Sequence, residues 1–119
     1  MRAARVLRKE DQQVVAESCA VTENAWERMK GLLGRKGMER GEALWISPCV
    51  AVHTFFMKFP IDVVFLGATG KVLAVVEGMK PWRHSALHLS AAGVLELPGG
   101  RCAEMDIHPG DTLEVAPWR

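Results

Sequence analysis

The fold is decided by residues 61–77, which read IDVVFLGATGKVLAVVE. An apolar run, Ile61–Leu66, is followed by the loop sequence GATG at 67–70 and then by a second run, Lys71–Glu77. Runs of β-branched and aromatic residues on both sides of a short glycine-containing loop are typical of a β-hairpin. The stretch therefore predicts two neighbouring antiparallel strands in the centre of the chain.

Further strands are predicted on both sides of this hairpin. They are separated by turn signals, among them Ser47-Pro48 and Pro109-Gly110-Asp111. Residues 81–92 carry charges and no clean period, and they predict a long loop. The additional strands are predicted at Ala3–Arg8, Val14–Val21, Ala43–Ile46, Val50–Met57, Val94–Leu97 and Thr112–Val115.

One main helix is predicted at about Glu23–Leu33. Thr22 is the expected N-cap because its hydroxyl can accept a backbone N–H, and Gly34 is the expected C-cap. The buried stripe of the helix is predicted from an i, i+3, i+7 spacing. Its members are Trp26, Met29 and Leu33.

These elements predict a mainly β (α+β) fold. Seven to eight mostly antiparallel strands would form a β-sandwich or a partly open barrel, with the helix of the N-terminal half packed against it. The length of 119 residues fits a single domain spanning residues 1–119, and 49% hydrophobic residues are enough to build its core.

Composition limits the expected partners and compartment. A net charge of +1 gives no electrostatic reason to expect nucleic acid or an anionic membrane surface. The chain has no apolar run of signal-peptide or membrane-spanning length. Cys19, Cys49 and Cys102 are odd in number and widely spaced, so free thiols in a reducing cytoplasm are expected. We expect a soluble cytoplasmic protein, a monomer or weak dimer, with no membrane or nucleic-acid partner.

Two carboxylates interrupt predicted strands. Asp62 follows the first residue of Ile61–Leu66, and Glu96 stands inside Val94–Leu97, just before Pro98-Gly99-Gly100. A buried carboxylate is unstable unless it is paired or hydrogen-bonded. Asp62 is therefore expected to cap backbone N–H groups or to pair with an arginine, and either structural role is favoured over catalysis. Two independent structural carboxylates are favoured over a converging acid/base pair.

Arg28 and Arg35 are the predicted partners of Asp62. They are seven residues apart and would share one face of a helix that reached Arg35. The planar guanidinium group binds carboxylates through two parallel hydrogen bonds. If neither arginine meets Asp62, the two side chains would bind a small anion or form a solvated helix edge.

Metal binding and thiol chemistry receive little support. Cys49 and His53 are four residues apart, as are His84 and His88, but both pairs fall in predicted strand or loop rather than helix. The CxxC and HExxH motifs are absent. We predict no metal and no cofactor, and a Cys49/His53 nucleophilic pair is disfavoured further.

Four blocks of sequence resemble the family called domain of unknown function 192. The blocks read RMKGLLGR at 28–35, HTFFMKFPIDVVFL at 53–66, VLELPGG at 94–100 and HPGDTLEV at 108–115. They follow the order and spacing of the family over nearly the whole chain. The resemblance implies a β-rich fold with a helix near the N-terminus, and it implies no established activity.

Two classes of function remain open. The first is a small binding module, whose pocket for a small polar or anionic ligand, or a peptide end, is formed by the helix arginines, residues 53–58 and the corner at 96–100. The second is an acid/base enzyme, a hydrolase or lyase that uses Asp62 or Glu96 with His53. The candidate ligand-binding residues are Arg28, Arg35, His53, Thr54, Lys58, Asp62 and Glu96.

Overall fold

A seven-stranded sheet dominates the computed structural model, which describes residues 1–117. The strands are β1 (Arg2–Arg8), β2 (Val14–Val21), β3 (Glu42–Ile46), β4 (Ile61–Leu66), β5 (Val72–Met79), β6 (Gly93–Pro98) and β7 (Leu113–Pro117). The helices are α1 (Ala25–Lys30) and α2 (Arg101–Met105).

The strands are arranged in the order β5-β4-β6-β3-β2-β1-β7. All neighbours are antiparallel except β2 and β3, which run parallel because the chain between them crosses over through α1. The two edges of the sheet approach at one corner, where the N–H of Leu113 donates to the carbonyl of Gly70 at 2.9 Å. The sheet is therefore a curled half-barrel, which confirms the mainly β prediction and favours the partly open barrel over the sandwich.

The core has two layers because side chains alternate across the sheet. All six residues of β4 and all six of β6 are buried. Val64 and Leu97 belong to one hydrophobic cluster, and Val63 and Val94 belong to the cluster on the other face. In the register of β4 and β6, Asp62 lies opposite Leu97 and Glu96 opposite Val63. Asp62 and Glu96 therefore point to opposite faces of the sheet.

Asp62 is satisfied entirely by the backbone. Its Oδ1 accepts the N–H of Gly78 at 2.8 Å and that of Gly100 at 3.1 Å, and its Oδ2 accepts the N–H of Cys102 at 2.8 Å. The predicted pairing with Arg28 or Arg35 is wrong, because the neighbouring chain already supplies three donors. The alternative prediction, that Asp62 caps backbone N–H groups, is confirmed, and the cap joins β4, β5 and α2.

Helix α1 is shorter than predicted. Its N-cap is Asn24, whose Oδ1 accepts the N–H of Glu27 at 2.9 Å, whereas the hydroxyl of Thr22 donates to the carbonyl of Trp45. The helix stops at Gly31, which has a φ of 48°, a left-handed value that favours glycine. Gly34 is therefore not its C-cap.

The predicted buried stripe of α1 is also wrong. Trp26 and Met29 are 67% and 68% exposed, and Leu33 is only partly buried. The helical spacing does not extend to Leu33, since the chain leaves the helix at Gly31. Leu32, just after the helix, is the residue that packs into the core, at 4% exposure.

The predicted strand Val50–Met57 is a loop. Only His53 takes part in a strand-like pair, an isolated bridge to His84. Thr54 explains the geometry: its backbone and its buried hydroxyl bind the backbone of Lys80, Trp82 and Arg83 instead of a neighbouring strand.

Replacing Asp62 with Asn tests the backbone cap. An amide can accept through its oxygen only, so at least one backbone N–H loses its acceptor and faces the amide NH₂ instead. We expect Asp62→Asn to lower the free energy of unfolding by about 2–3 kcal/mol in urea denaturation. Glu17→Gln, on an exposed site of β2, is the control and should change it by less than about 0.5 kcal/mol. Equal stability of the two variants would contradict this role.

Truncations around α1 test which side chain anchors it. Leu32→Ala should lower the free energy of unfolding by about 2–5 kcal/mol because it empties a buried site. Trp26→Ala should change it by no more than about 0.5 kcal/mol, since the indole is mostly exposed. The comparison uses chemical denaturation of both variants. A larger loss of stability for Trp26→Ala than for Leu32→Ala would support the buried stripe predicted from the helical spacing.

Candidate functional site

A cavity of about 210 Å³ lies between α1, the loop after β3 and the face of β6 that carries Val94 and Glu96. Its walls combine buried aliphatic residues with a few polar side chains. We call it the Glu96 cavity. It is lined by Arg28, Met29, Lys30, Gly31, Leu32, Leu33, Ile46, Cys49, Ala51, Val52, His53, Met57 and Glu96.

Glu96 is the unusual residue of this cavity. Its side chain is only 5% exposed, yet its carboxylate accepts no hydrogen bond from any group in residues 1–117. Every fully enclosed side-chain oxygen or nitrogen in the same residues has a hydrogen-bond partner. The carboxylate therefore keeps a small opening to the cavity it lines. Burial raises the pKa of the Glu96 carboxyl to about 7.

Arg28 brings the opposite charge to the same cavity. It is half-buried and forms no ion pair within residues 1–117. In particular, its guanidinium group does not reach Glu96, so the two charges face one cavity without contact. Lys30 also lines the cavity and adds a second cation.

Cys49 and His53 complete the polar lining. The thiol of Cys49 donates to the carbonyl of Ala51 at 3.0 Å, and burial raises the pKa of this thiol. The Nδ1 of His53 accepts the N–H of Phe55 at 3.3 Å, and its ring stacks on Phe55 with centroids 4.9 Å apart. No hydrogen bond joins Cys49 to His53 within residues 1–117, so the two do not form a nucleophilic pair.

Three of the seven predicted site residues, Arg28, His53 and Glu96, line the cavity together. Arg35 is bound instead to Glu42, with the guanidinium 2.8 Å from the carboxylate. Thr54 is fully buried, and its hydroxyl donates to the carbonyl of Lys80 at 2.6 Å.

The remaining two predicted residues also lie outside the cavity. Lys58 is exposed and does not line it. Asp62 is on the other face of the sheet, where its three backbone donors fully occupy it. The hypothesis that Asp62 and Glu96 act as one acid/base pair is therefore wrong.

Two polar lining residues, Cys49 and Lys30, are not among the predicted site residues. The sequence suggests Cys49 only as a metal ligand or nucleophile, yet it lies four residues before His53 and lines the same cavity. Lys30 carries no signal that separates it from other surface cations. Its place in the cavity follows from the end of α1 at Gly31.

Residues 1–117 offer no metal centre or membrane-spanning helix. No group of three or more His, Cys, Asp or Glu side chains there is arranged to hold a metal ion. None of the helices in this part of the chain is long and apolar enough to cross a membrane. Cys19, Cys49 and Cys102 are free thiols.

Comparison with known proteins places the chain among uncharacterised relatives. The family model DUF192, described as "Uncharacterized ACR", matches residues 6–115. A UPF0127 protein of Pyrococcus furiosus is 31% identical over 97 residues, which cover 77% of this chain and 81% of the relative.

Two crystal structures share the fold. A protein of unknown function from Novosphingobium aromaticivorans has a TM-score of 0.77 and 24% identity, over 94% of this chain and 83% of its own. A Sinorhizobium meliloti protein, provisionally named a transcription regulator, has a TM-score of 0.79 and 21% identity, over 95% of this chain and 92% of its own. At these identities the likeness concerns the fold alone.

The raised pKa of Glu96 makes stability depend on pH. The folded carboxyl holds its proton up to about pH 7, whereas the unfolded carboxyl releases it near 4.5. Folding is therefore favoured by this group below pH 4.5, and that contribution is lost as pH rises to about 7. Glu96→Gln should match the parent protein near pH 4.5 and exceed its free energy of unfolding by up to about 3 kcal/mol at pH 8.

Urea denaturation at several pH values between 4.5 and 8 checks this expectation. Glu17→Gln, which removes an exposed carboxylate, should leave the pH dependence unchanged. Parallel curves for the parent and Glu96→Gln would show that the Glu96 carboxyl is well solvated in the folded protein.

Proposed function

The chain belongs to the DUF192 family, and we propose that it is a small binding module whose Glu96 cavity takes up a small polar ligand. The observation that carries this proposal is the carboxylate of Glu96, which is buried but has no donor in the described chain. Burial without a protein donor carries a free-energy cost for the ionised carboxylate, which is seen in its raised pKa. A ligand that donates a hydrogen bond would remove this cost when it binds.

The contrast with Asp62 strengthens the argument. Both carboxylates lie in central strands, and both are almost completely buried. Asp62 receives three backbone N–H groups, whereas Glu96 receives none. A carboxylate needed only for folding is expected to resemble Asp62, so Glu96 is better explained by something that enters the cavity.

The dimensions of the cavity limit the ligand. Pockets for drug-sized molecules occupy about 300–1,000 Å³, and the Glu96 cavity is smaller, at about 210 Å³. Most of its lining is aliphatic, with Leu32, Ile46 and Val52 among the buried residues. Arg28 and Lys30 supply positive charge. These features favour a small ligand with an apolar body and an anionic or polar end.

An acid/base enzyme is the second candidate. It is favoured by the pKa of Glu96, which burial places at about 7, where a carboxyl can give and take protons at neutral pH. His53 lines the same cavity and could act as the second group. Asp62 has no part in this alternative, because it lies on the other face of the sheet.

A thermal-shift screen against a metabolite library tests the binding function. A ligand present at 100 times its Kd adds about 2.7 kcal/mol of stability, which corresponds to a Tm increase of roughly 10 °C for a chain of this size. We expect hits on the parent protein and on the control Glu17→Gln, and a much smaller shift on Glu96→Gln.

The screen also separates the two candidate functions. Incubation of each hit with the protein, followed by mass spectrometry, should return the compound unchanged if the module only binds it. Conversion that is lost in both Glu96→Gln and His53→Ala would favour the enzyme. Absence of any hit, or equal shifts for the parent and Glu96→Gln, would contradict a ligand site at Glu96.

A further inference from the structure

Two opposite charges face the Glu96 cavity without meeting. The carboxylate of Glu96 has no donor, and the guanidinium of Arg28 has no carboxylate within ion-pair distance in residues 1–117. Opposite charges in a partly dehydrated space attract each other strongly. Because they do not pair, both groups remain available to a molecule that enters the cavity.

Apolar side chains form much of the wall of the cavity that both charged residues line. Ile46, Val52 and Met57 line the cavity and are at most 9% exposed. Water in this space can be bound by the polar side chains but gains nothing from the apolar part of the wall. A molecule with a short hydrocarbon body would instead cover those walls and carry a complementary group to each end.

We propose that the Glu96 cavity binds a short, unbranched ω-amino carboxylate, with its ammonium group on Glu96 and its carboxylate on Arg28. This inference rests on the proposed binding function and specifies the chemical class of its ligand. The ammonium group supplies the missing donors of the Glu96 carboxylate, and the carboxylate of the ligand suits the planar fork of Arg28. Lys30 adds attraction for the anionic end.

Molecules with only one charged end fit the cavity less well. A simple carboxylate would satisfy Arg28 but leave Glu96 buried without a donor. A simple alkylammonium would satisfy Glu96 but would bring positive charge towards Arg28 and Lys30 with no compensating anion. The zwitterion is the class that leaves neither protein group unmatched.

Three matched probes test the inference by calorimetry and by two-dimensional NMR of the ¹⁵N-labelled protein at pH 7.5. They are 5-aminopentanoate, pentanoate and pentylammonium, which share a five-carbon chain. We expect 5-aminopentanoate to bind at least about 10-fold more tightly than either single-ended probe, because it gains one further charge-assisted contact. 4-Aminobutanoate and 6-aminohexanoate are also measured, so that the result does not depend on a single distance between the two charged ends.

Two variants assign the ends of the ligand. Glu96→Gln should reduce the affinity for 5-aminopentanoate to that of pentanoate for the same variant, while the affinity for pentanoate stays the same or rises because a nearby negative charge is removed. Arg28→Gln should reduce it to the affinity for pentylammonium. Arg35→Gln is the matched control, since Arg35 is engaged with Glu42 outside the cavity, and it should leave all three affinities unchanged.

The outcomes separate this inference from the proposed function. If no ω-amino carboxylate binds more tightly than the single-ended probes, the inference is overturned, and a Glu96-dependent hit of another class from the library would leave the binding function standing. If 5-aminopentanoate binds equally well to the parent and to Glu96→Gln, the assignment of its ammonium group is wrong. Signal dispersion in the NMR spectra of each variant verifies that loss of binding is not loss of folding.

Discussion

The two-residue alternation along β4 and β6 is the constraint on which the rest of the molecule depends. It sends Asp62 to one face of the curled sheet and Glu96 to the other, although the two residues lie in directly paired strands. On the first face the backbone of β5 and α2 closes over Asp62 and satisfies it. On the second face α1 and the loop after β3 stop short of Glu96 and leave a cavity. The same functional group, a carboxylate, therefore caps backbone N–H groups at Asp62 and is left without a protein donor at Glu96.

The carboxylate of Glu96 weakens the fold near neutral pH. Burial raises the pKa of Glu96 to about 7, so the ionised form is disfavoured where most proteins work. A neutral amide at this position would be expected to give a more stable protein. Residues that lower stability in this way are common where binding or catalysis requires them, and this supports the proposal that Glu96 serves a ligand. The apolar side chains packed around Glu96 cause the effect, because burial among them disfavours the charged form of the carboxyl.

The sequence was informative wherever a local pattern determines structure. The hairpin around residues 67–70 and the strands on either side of it follow from runs of β-branched and aromatic residues and from turn residues. Val50–Met57 has the same composition but forms a loop, because Thr54 bonds to a distant segment that composition cannot reveal. For α1, Gly31 ends the helix before Leu33, so the apolar residues at helical spacing do not form a buried face. In the site, Arg28, His53 and Glu96 were recognised as polar ends of apolar elements. The partner of Asp62 was misassigned, since backbone donors leave no mark in the sequence.

The pairing of β1 with β7 has a consequence for how the protein folds. Val6 lies opposite Val115, so the first strand of the sheet finds its outer neighbour more than a hundred residues further along the chain. Contacts of such long sequence separation slow folding, because a large loop must close before the pairing gains anything. The β1–β2 hairpin can form early during synthesis, but its outer edge stays unpaired until the region around Val115 has left the ribosome. Until then the nascent chain carries an exposed strand edge, which is the kind of surface that chaperones protect and that aggregation exploits.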